Sequence, residues 1–581
     1  MNKTRIYQLI AIAIPFLFFA ALEGGLRLFD YGREMPLFMD YPAAANSTAP
    51  QYLLPRPDVV KRYFPEGSAA PSVTIETNFF LKHKPDDALR IVVQGGSTAA
   101  GFPFGYGASI AGMLDYRLKQ SFPDRTVEVI NTALAAVNSY TVLDFVDEII
   151  EQKPDAVLIY AGHNEYLGIL GVGSAYTAAN SPAATLLYLK LKNSRTFQLM
   201  QNTYWQFTKA ANIEQKPKNA QRSRTFMSKV AKHKNIPFGS DLYEAGLTQF
   251  DNNISRVIAK YQAAGIPVFI SSIASNLADQ TPFSSSENGA DAYYEKGRAL
   301  LAKGEYQQAK QALIKARDLD LLRFRAPSAM NDIIIELAKK ESVHYVDANK
   351  ALTQAAENGI IGHSLMLEHL HPTIKGYFVI ADSFYNAIEQ SKVFGDFPHV
   401  ISAKEAAKDL PVFDAEVYWG KAKIAGLMAD YPFTDTPKKV KLPLAKTPSD
   451  RLGLAAYQSK IGWLTIATEN LNYGKKNDPA LYLKSAKLLA DAMPFDAVHN
   501  YRAGVALIQQ NQFAQAPRYL KRAIAANKSD VNYQLALSHA FLELGKLKQA
   551  LPMLESVLRL DPNNKTANDV LPKVKHHLSL N

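Results

Sequence analysis

The 581-residue chain predicts an α/β domain built on a five-stranded parallel sheet, followed by an all-α region of repeated helical hairpins. Three observations predict it. Five short apolar runs, each closed by turn residues, fall between residues 89 and 349. Stretches with apolar residues at helical spacing lie between the runs, and strand–helix–strand order means a parallel sheet covered by helices. Towards the C-terminus, small residues recur 34 positions apart, the mark of stacked helical repeats.

The elements follow in order. Lys3 and Arg5 precede the uncharged stretch "IYQLIAIAIPFLFFAAL", Ile6 to Leu22. That stretch is near the length that crosses a hydrocarbon core, and the two cations hold its start in the cytoplasm. Everything after Glu23 is then exported. A cleaved signal peptide is the rival, but "AALEGG" is a poor small-x-small cleavage site. Residues 1–30 are therefore expected to be a signal anchor, with a single pass through the inner membrane and the bulk of the chain periplasmic. Residues 31–84 form a lead segment rich in Pro and Tyr with little periodicity.

The five apolar runs are "LRIVVQGG" (89–96), "TVEVINTA" (126–133), "DAVLIYAGHN" (155–164), "IPVFISSIASN" (266–276) and "SVHYVDAN" (342–349). Their β-branched content without strict alternation suits strands buried on both faces. "SIAGMLDYRLKQSF" (109–122) and "YTVLDFVDEIIEQK" (140–153) carry helical spacing. Two intervals exceed a simple crossover and read as insertions, at about 170–245 and 285–325. In the second, Gly297, Gly304, Ala309 and Ala316 surround Tyr306 as in a tetratricopeptide hairpin. Ala516 and Ala550 repeat the pattern, with Gly504, Ala523, Gly545 and Pro562 at repeat positions. Residues 450–581 are expected to be a tetratricopeptide-repeat domain, separable from the rest. Residues 396–449, rich in Pro and Lys, are expected to be a linker.

Composition narrows the function. With 47% apolar and 20% charged residues the chain folds. The absence of cysteine excludes a thiol nucleophile, a disulfide framework and a Cys-based zinc site. Part of the net charge of +11 lies in Lys216–Lys234 and Lys438–Lys446. These stretches suit solvated loops or contact with an anionic lipid surface. No nucleic-acid partner is expected.

The chemistry gathers at strand ends, where ligands of open parallel sheets bind. Ser97 stands just past the first strand, after Gly95 and Gly96; a serine N-cap is the plain alternative. The third strand ends in "GHNE", which puts Asn164 at the same rim. Late in the chain Glu368 stands three residues before His371. A hydroxyl, an amide donor and a carboxylate–imidazole pair are the parts of an acyl-transfer site. His163, His363, His369 and His371 also raise the question of a metal, but spacings of two and six do not fit a zinc helix. No metal or cofactor is expected. Arg323 and Arg325, and the loops "FRAPSAMND" and "SNLADQ", are candidates for shaping the pocket or holding an acidic group.

With these blocks in place the chain resembles the SGNH hydrolases, or GDSL-like esterases, over roughly residues 85–395. The first block is "GGSTAAG", the third "GHNE" and the last "EHLHP". The second block, which normally carries a glycine, aligns with "NTALAAVNSY" and places Ala136 at that position. The resemblance implies a three-layer, flavodoxin-like fold, and attached tetratricopeptide repeats fit a bacterial membrane-anchored branch. It implies Ser97 as nucleophile, His371 as base, Glu368 as its partner, and Asn164 and the Ala136 N–H as oxyanion donors. Two departures stand out: Gly96 replaces the usual aspartate, and Glu368 replaces the triad aspartate.

The expected activity is a serine esterase or deacylase acting on O-acyl esters of an envelope glycan, lipid or small molecule. The same residues serve an O-acyltransferase that modifies a surface polysaccharide. A third reading is a scaffold with an inactive hydrolase domain. In each, the repeats are expected to bind a protein partner.

Overall fold

The computed structural model describes all residues except 1–2, 43–48, 69, 177–180, 212–226, 228–234, 341–342 and 581. Apart from Met227, the basic stretch Lys216–Lys234 lies outside the described residues.

A helix, Lys3–Leu28, opens the chain. Its window Ala11–Leu28 is long and apolar enough to cross a membrane and is not buried against the protein. The lead segment then forms a small antiparallel sheet from β1 (Phe38–Asp40), β2 (Tyr52–Pro55) and β3 (Phe80–Leu81). Strands of two to four residues are too short to display an alternation.

The central sheet contains β4 (Leu89–Gly95), β5 (Val127–Asn131), β6 (Ala156–Tyr160), β7 (Val268–Ser271) and β8 (Val343–Val346). All neighbours are parallel, in the order β5-β4-β6-β7-β8. This is the flavodoxin-like order, in which the chain first steps one way from β4 and then the other. β4 to β7 are buried throughout, as their unbroken apolar runs require, whereas β8 lies at the edge and is only half covered. The helix expected over 140–153 is two short helices, Ser139–Asp144 and Val146–Ile150, meeting at Phe145.

Arg90 on β4 ties the lead segment down. It pairs with Glu128 on β5 (2.8 Å) and donates to the Leu81 carbonyl of β3 (2.6 Å). The second insertion is a hairpin of Ala290–Ala302 and Tyr306–Leu319. A Cβ at Gly297 would meet the Leu313 side chain at 2.6 Å, so the glycine marks where the helices cross.

The C-terminal helices stack pairwise from Trp463 to Ser579. Gly504 lies against Leu520, and Ala516 and Ala550 are wholly buried, which is why small residues recur there. The segment 396–449 is more than a connector. It contains the helix Asp414–Met428, and a Cβ at its Gly420 would meet the Phe104 ring at 2.4 Å. Nor does the repeat region stand apart. Tyr116 of the α/β domain is packed in the same apolar cluster as Leu488 and Tyr519.

Candidate active site

Ser97 opens a single helical turn, Ser97–Ala100, immediately after β4. Gly95 makes the turn possible. Its φ is +157, and a Cβ there would lie 2.1 Å from the Tyr160 carbonyl oxygen of β6. Only a residue without a side chain lets the strands approach so closely. Gly96 has a different role: a Cβ would come 3.0 Å from Asn164 Nδ2. The Asn164 amide thus occupies the space beside the serine.

His371 arrives from a loop between the helix Ala348–Ala355, which follows β8, and the helix Ile374–Ser391. The loop is pinned on both sides. Leu367 N–H donates to the His371 carbonyl (2.7 Å), and Thr373 caps the helix through Gly376 N–H (3.2 Å). This places His371 Nε2 2.8 Å from Ser97 Oγ. The Phe102 ring packs 4.7 Å from the imidazole, centroid to centroid.

Glu368 is fully buried and lies against His371 Nδ1. It also accepts the His371 backbone N–H (3.1 Å). Its other oxygen lies against Nδ1 of His369. One carboxylate therefore orients two imidazoles, an arrangement that spacing alone did not reveal. Burial lowers the pKa of both histidines, to about 3 for His371 and well below the usual range for His369. The resting His371 is neutral, with its lone pair towards the serine.

Glu368, His369 and His371 present ligand atoms within 4.8 Å of one another. In the observed arrangement the carboxylate is engaged with both rings and His371 Nε2 with Ser97, so the donors face each other. His363 lies apart from them, with Nδ1 3.4 Å from the Met366 carbonyl. His163 is structural as well. Its Nδ1 accepts the Ala326 N–H (3.3 Å), and Nε2 donates to the Ala274 carbonyl (3.1 Å). Burial lowers its pKa to about 3.

Ala136 has φ +64, the left-handed region that favours glycine. Its carbonyl accepts the Ile169 N–H (2.8 Å), and the Asn164 carbonyl accepts the Gly168 N–H (2.7 Å). Glu165, the residue after Asn164, joins the Asn164 and Ala136 loops through Ser139. It accepts the Ser139 N–H (3.1 Å) and hydroxyl (2.7 Å), and Gln249 donates to the same carboxylate. Burial pushes its carboxyl up to about 7 despite these bonds. Nothing in the "GHNE" block marked Glu165 for this task.

Ser97, Ala136, Asn164 and His371 all line one cavity of about 490 Å³. Its other walls are largely apolar, with Val73, Phe102, Leu167 and Phe324 from the α/β part. Leu427 and Tyr457, from beyond residue 395, complete it. Arg323 and Arg325 are taken up by structure rather than by the cavity. Arg325 pairs with Asp320 (3.1 Å) and donates to the Asn276 carbonyl, while Arg323 donates to the Ile236 carbonyl.

The family model described as tetratricopeptide repeat matches residues 507–570, and a second of the same description matches residues 290–320. The chain carries tetratricopeptide repeats. Among solved structures, it is similar to a catalytic mutant of Axe2, an acetylxylan esterase from Geobacillus stearothermophilus. The identity is 10% and the TM-score 0.28, over 55% of this chain and 99% of that one. A putative GDSL-like lipase from Parabacteroides merdae aligns at 10% identity and TM-score 0.28, over 52% of this chain and 97% of the other. TesA aligns at 12% identity and TM-score 0.26, over 52% and 98%. The first tetratricopeptide domain of Spaghetti (RPAP3), bound to an HSP90 peptide, aligns at 27% identity and TM-score 0.19, over 20% and 93%. Comparison with curated protein sequences gives no match.

Proposed function

We propose that the protein is a serine esterase or deacylase, held at the inner membrane by its N-terminal helix and acting on O-acyl esters outside the cytoplasm. The observation that carries this reading is the line of contacts from Ser97 Oγ to His371 Nε2 (2.8 Å) and from His371 Nδ1 to the Glu368 carboxylate.

A serine hydroxyl attacks an ester only if its proton leaves as the bond forms. The neutral His371 takes that proton on Nε2. Glu368 holds the ring by Nδ1 and stabilises the imidazolium. The carbonyl oxygen becomes an oxyanion, and its donors are the N–H groups of Ser97 and Ala136 with the Asn164 amide. Collapse expels the alcohol, which takes the proton from His371 Nε2. Water then attacks the acyl-serine by the same route, and the acid leaves. A mostly apolar cavity excludes bulk water and strengthens each of these interactions.

The test is labelling of detergent-solubilised full chain with a fluorophosphonate, followed by cleavage of p-nitrophenyl esters. Wild type is expected to label and turn over. Ser97→Ala should do neither, and Asn164→Ala should lose roughly 10²-fold or more in kcat, as for a lost oxyanion donor. Equal turnover by Ser97→Ala and wild type would end the proposal.

A further inference from the structure

The helix Arg195–Ala211 turns an apolar stripe outward. A helix between core and water turns its apolar stripe inward. Here Gln198 and Asn202 face the protein, and of the apolar residues Phe197 packs on the core. Gln198 accepts the Arg33 N–H (2.9 Å) and donates to the Arg33 carbonyl (3.0 Å), and Asn202 accepts the Glu66 N–H (3.0 Å). The outward stripe is apolar: Met200, Tyr204 and Phe207 are 61%, 73% and 73% exposed. Their spacing of four and then three residues puts them on one side of the helix. The preceding helix, Pro182–Leu191, also exposes Leu187 and Leu191, one turn apart.

This helix is fastened to the N-terminal apolar helix. The Glu23 carboxylate accepts the N–H groups of Arg195 (3.0 Å) and Thr196 (2.8 Å) and the Ser194 hydroxyl (2.8 Å). Glu23 stands near the end of the apolar window Ala11–Leu28, about 7 Å of helix rise before Leu28. This helix therefore starts close to the anchor's exit from the hydrocarbon. Leu28 and Phe29, at that exit, are themselves exposed. An adjoining cleft of about 990 Å³ carries both signs of charge, with Lys190 and Arg256 among its cations and Glu34 and Asp147 among its carboxylates, and Arg27 is paired with Glu23 and Glu34.

We propose that the helix pair spanning residues 182–211 docks on the bilayer surface, with Met200, Tyr204 and Phe207 among the headgroups. The partner is the lipid surface beside the protein's own anchor. Apolar side chains with a tyrosine among them suit the boundary between headgroups and acyl chains. One anchor leaves a domain free to swivel; a second contact sets which face of the domain meets the membrane. This inference rests on the reading of the N-terminal helix as an anchor.

The natural absence of cysteine makes the test direct. Phe18→Cys, Tyr204→Cys, Phe207→Cys and Lys303→Cys would each carry one spin label, in full chain reconstituted into phosphatidylethanolamine–phosphatidylglycerol nanodiscs. Lys303 is exposed in the turn of the distant hairpin and reports water. Power-saturation measurements compare collision with oxygen, which favours lipid, and with a nickel chelate, which favours water. Labels at 204 and 207 are expected to show an oxygen-to-nickel ratio several-fold above that at 303. Values equal to that at 303, with the label at 18 in lipid, would overturn the docking and leave the anchor. A water-exposed label at 18 would overturn the anchor reading and the docking with it.

Discussion

At the scale of single residues the candidate site depends on two that carry no catalytic side chain. Ala136 sits at φ +64, where its methyl costs roughly 1–2 kcal/mol relative to glycine. Glycine gives back roughly 0.5–1 kcal/mol through the freedom of its unfolded chain. Ala136→Gly is thus expected to raise stability slightly, by about 0.5 kcal/mol, with ester cleavage retained; urea denaturation beside a kcat measurement decides it, and a loss of more than about 1 kcal/mol would refute the strain argument. Glu165 joins the Asn164 and Ala136 loops through Ser139. Burial raises its carboxyl to about 7, above roughly 4.3 in the unfolded chain. Between those values the folded state holds the proton and the unfolded state does not, so this group's contribution falls as pH rises through 7. Thermal melts of wild type and Glu165→Gln from pH 5 to 8 should show the wild type losing ground to the variant with rising pH. A difference in Tm that is constant with pH would contradict the assignment. The roles proposed for Ser97, Asn164 and His371 were legible because their blocks are local. Those of Glu165 and His369 were not, since each acts through a partner that only folding brings near.

At the scale of elements, the segment 396–449 shows how far composition can mislead. Its prolines and lysines read as a linker, yet Leu427 lines the cavity at Ser97 and Pro411 presses on the α/β domain. A Cβ on Gly107 would meet the Pro411 carbonyl oxygen at 1.8 Å, a backbone atom that cannot rotate away. Gly107→Ala should force the segment outward, at a cost of about 1–3 kcal/mol. If Leu427 moves with it, KM for a long-chain ester should rise more than KM for an acetate ester. An unchanged KM ratio together with unchanged stability would show that this contact is slack. The helical hairpin at 290–319 was readable in advance, because the demand for small residues at a helix crossing is local and periodic. The outward apolar stripe of the helix 195–211 was not, since an amphipathic pattern does not say which side faces the protein.

At the scale of the whole molecule, the repeats and the α/β domain share buried charge. Lys119, beneath the central sheet, pairs with Asp115 (2.6 Å) and with Asp491 of the repeat region (2.9 Å). Arg522 joins Asp491 at 3.0 Å, and Arg518 donates to the Lys119 carbonyl. Burial alone would raise the Asp491 pKa, but Lys119 and Arg522 outweigh it and hold the carboxyl below its usual range. Its contribution is present above the unfolded carboxylate pKa and is lost as pH falls through the folded value. Removing one partner of a buried pair leaves the other charge uncompensated, so Asp491→Asn should destabilise the protein by roughly 3 kcal/mol. Chemical denaturation at pH 7 measures this, and a change under about 1 kcal/mol would mean that Asp115 suffices for Lys119. For the same reason, deletion of residues 450–581 is expected to abolish activity rather than leave a working enzyme. It would remove Tyr457 from the cavity wall and expose Tyr116. The strand runs, the small-residue repeats, the apolar N-terminal stretch and the Ser97, Asn164 and Glu368–His371 blocks could be read from the residue order alone, because each is a property of neighbours along the chain. Tertiary structure alone decided that Glu368 serves two histidines, that residues beyond 395 close the cavity, and that the repeats lock onto the α/β domain. Those contacts join residues far apart in the chain, and burial and charge pairing become visible only when the chain has folded.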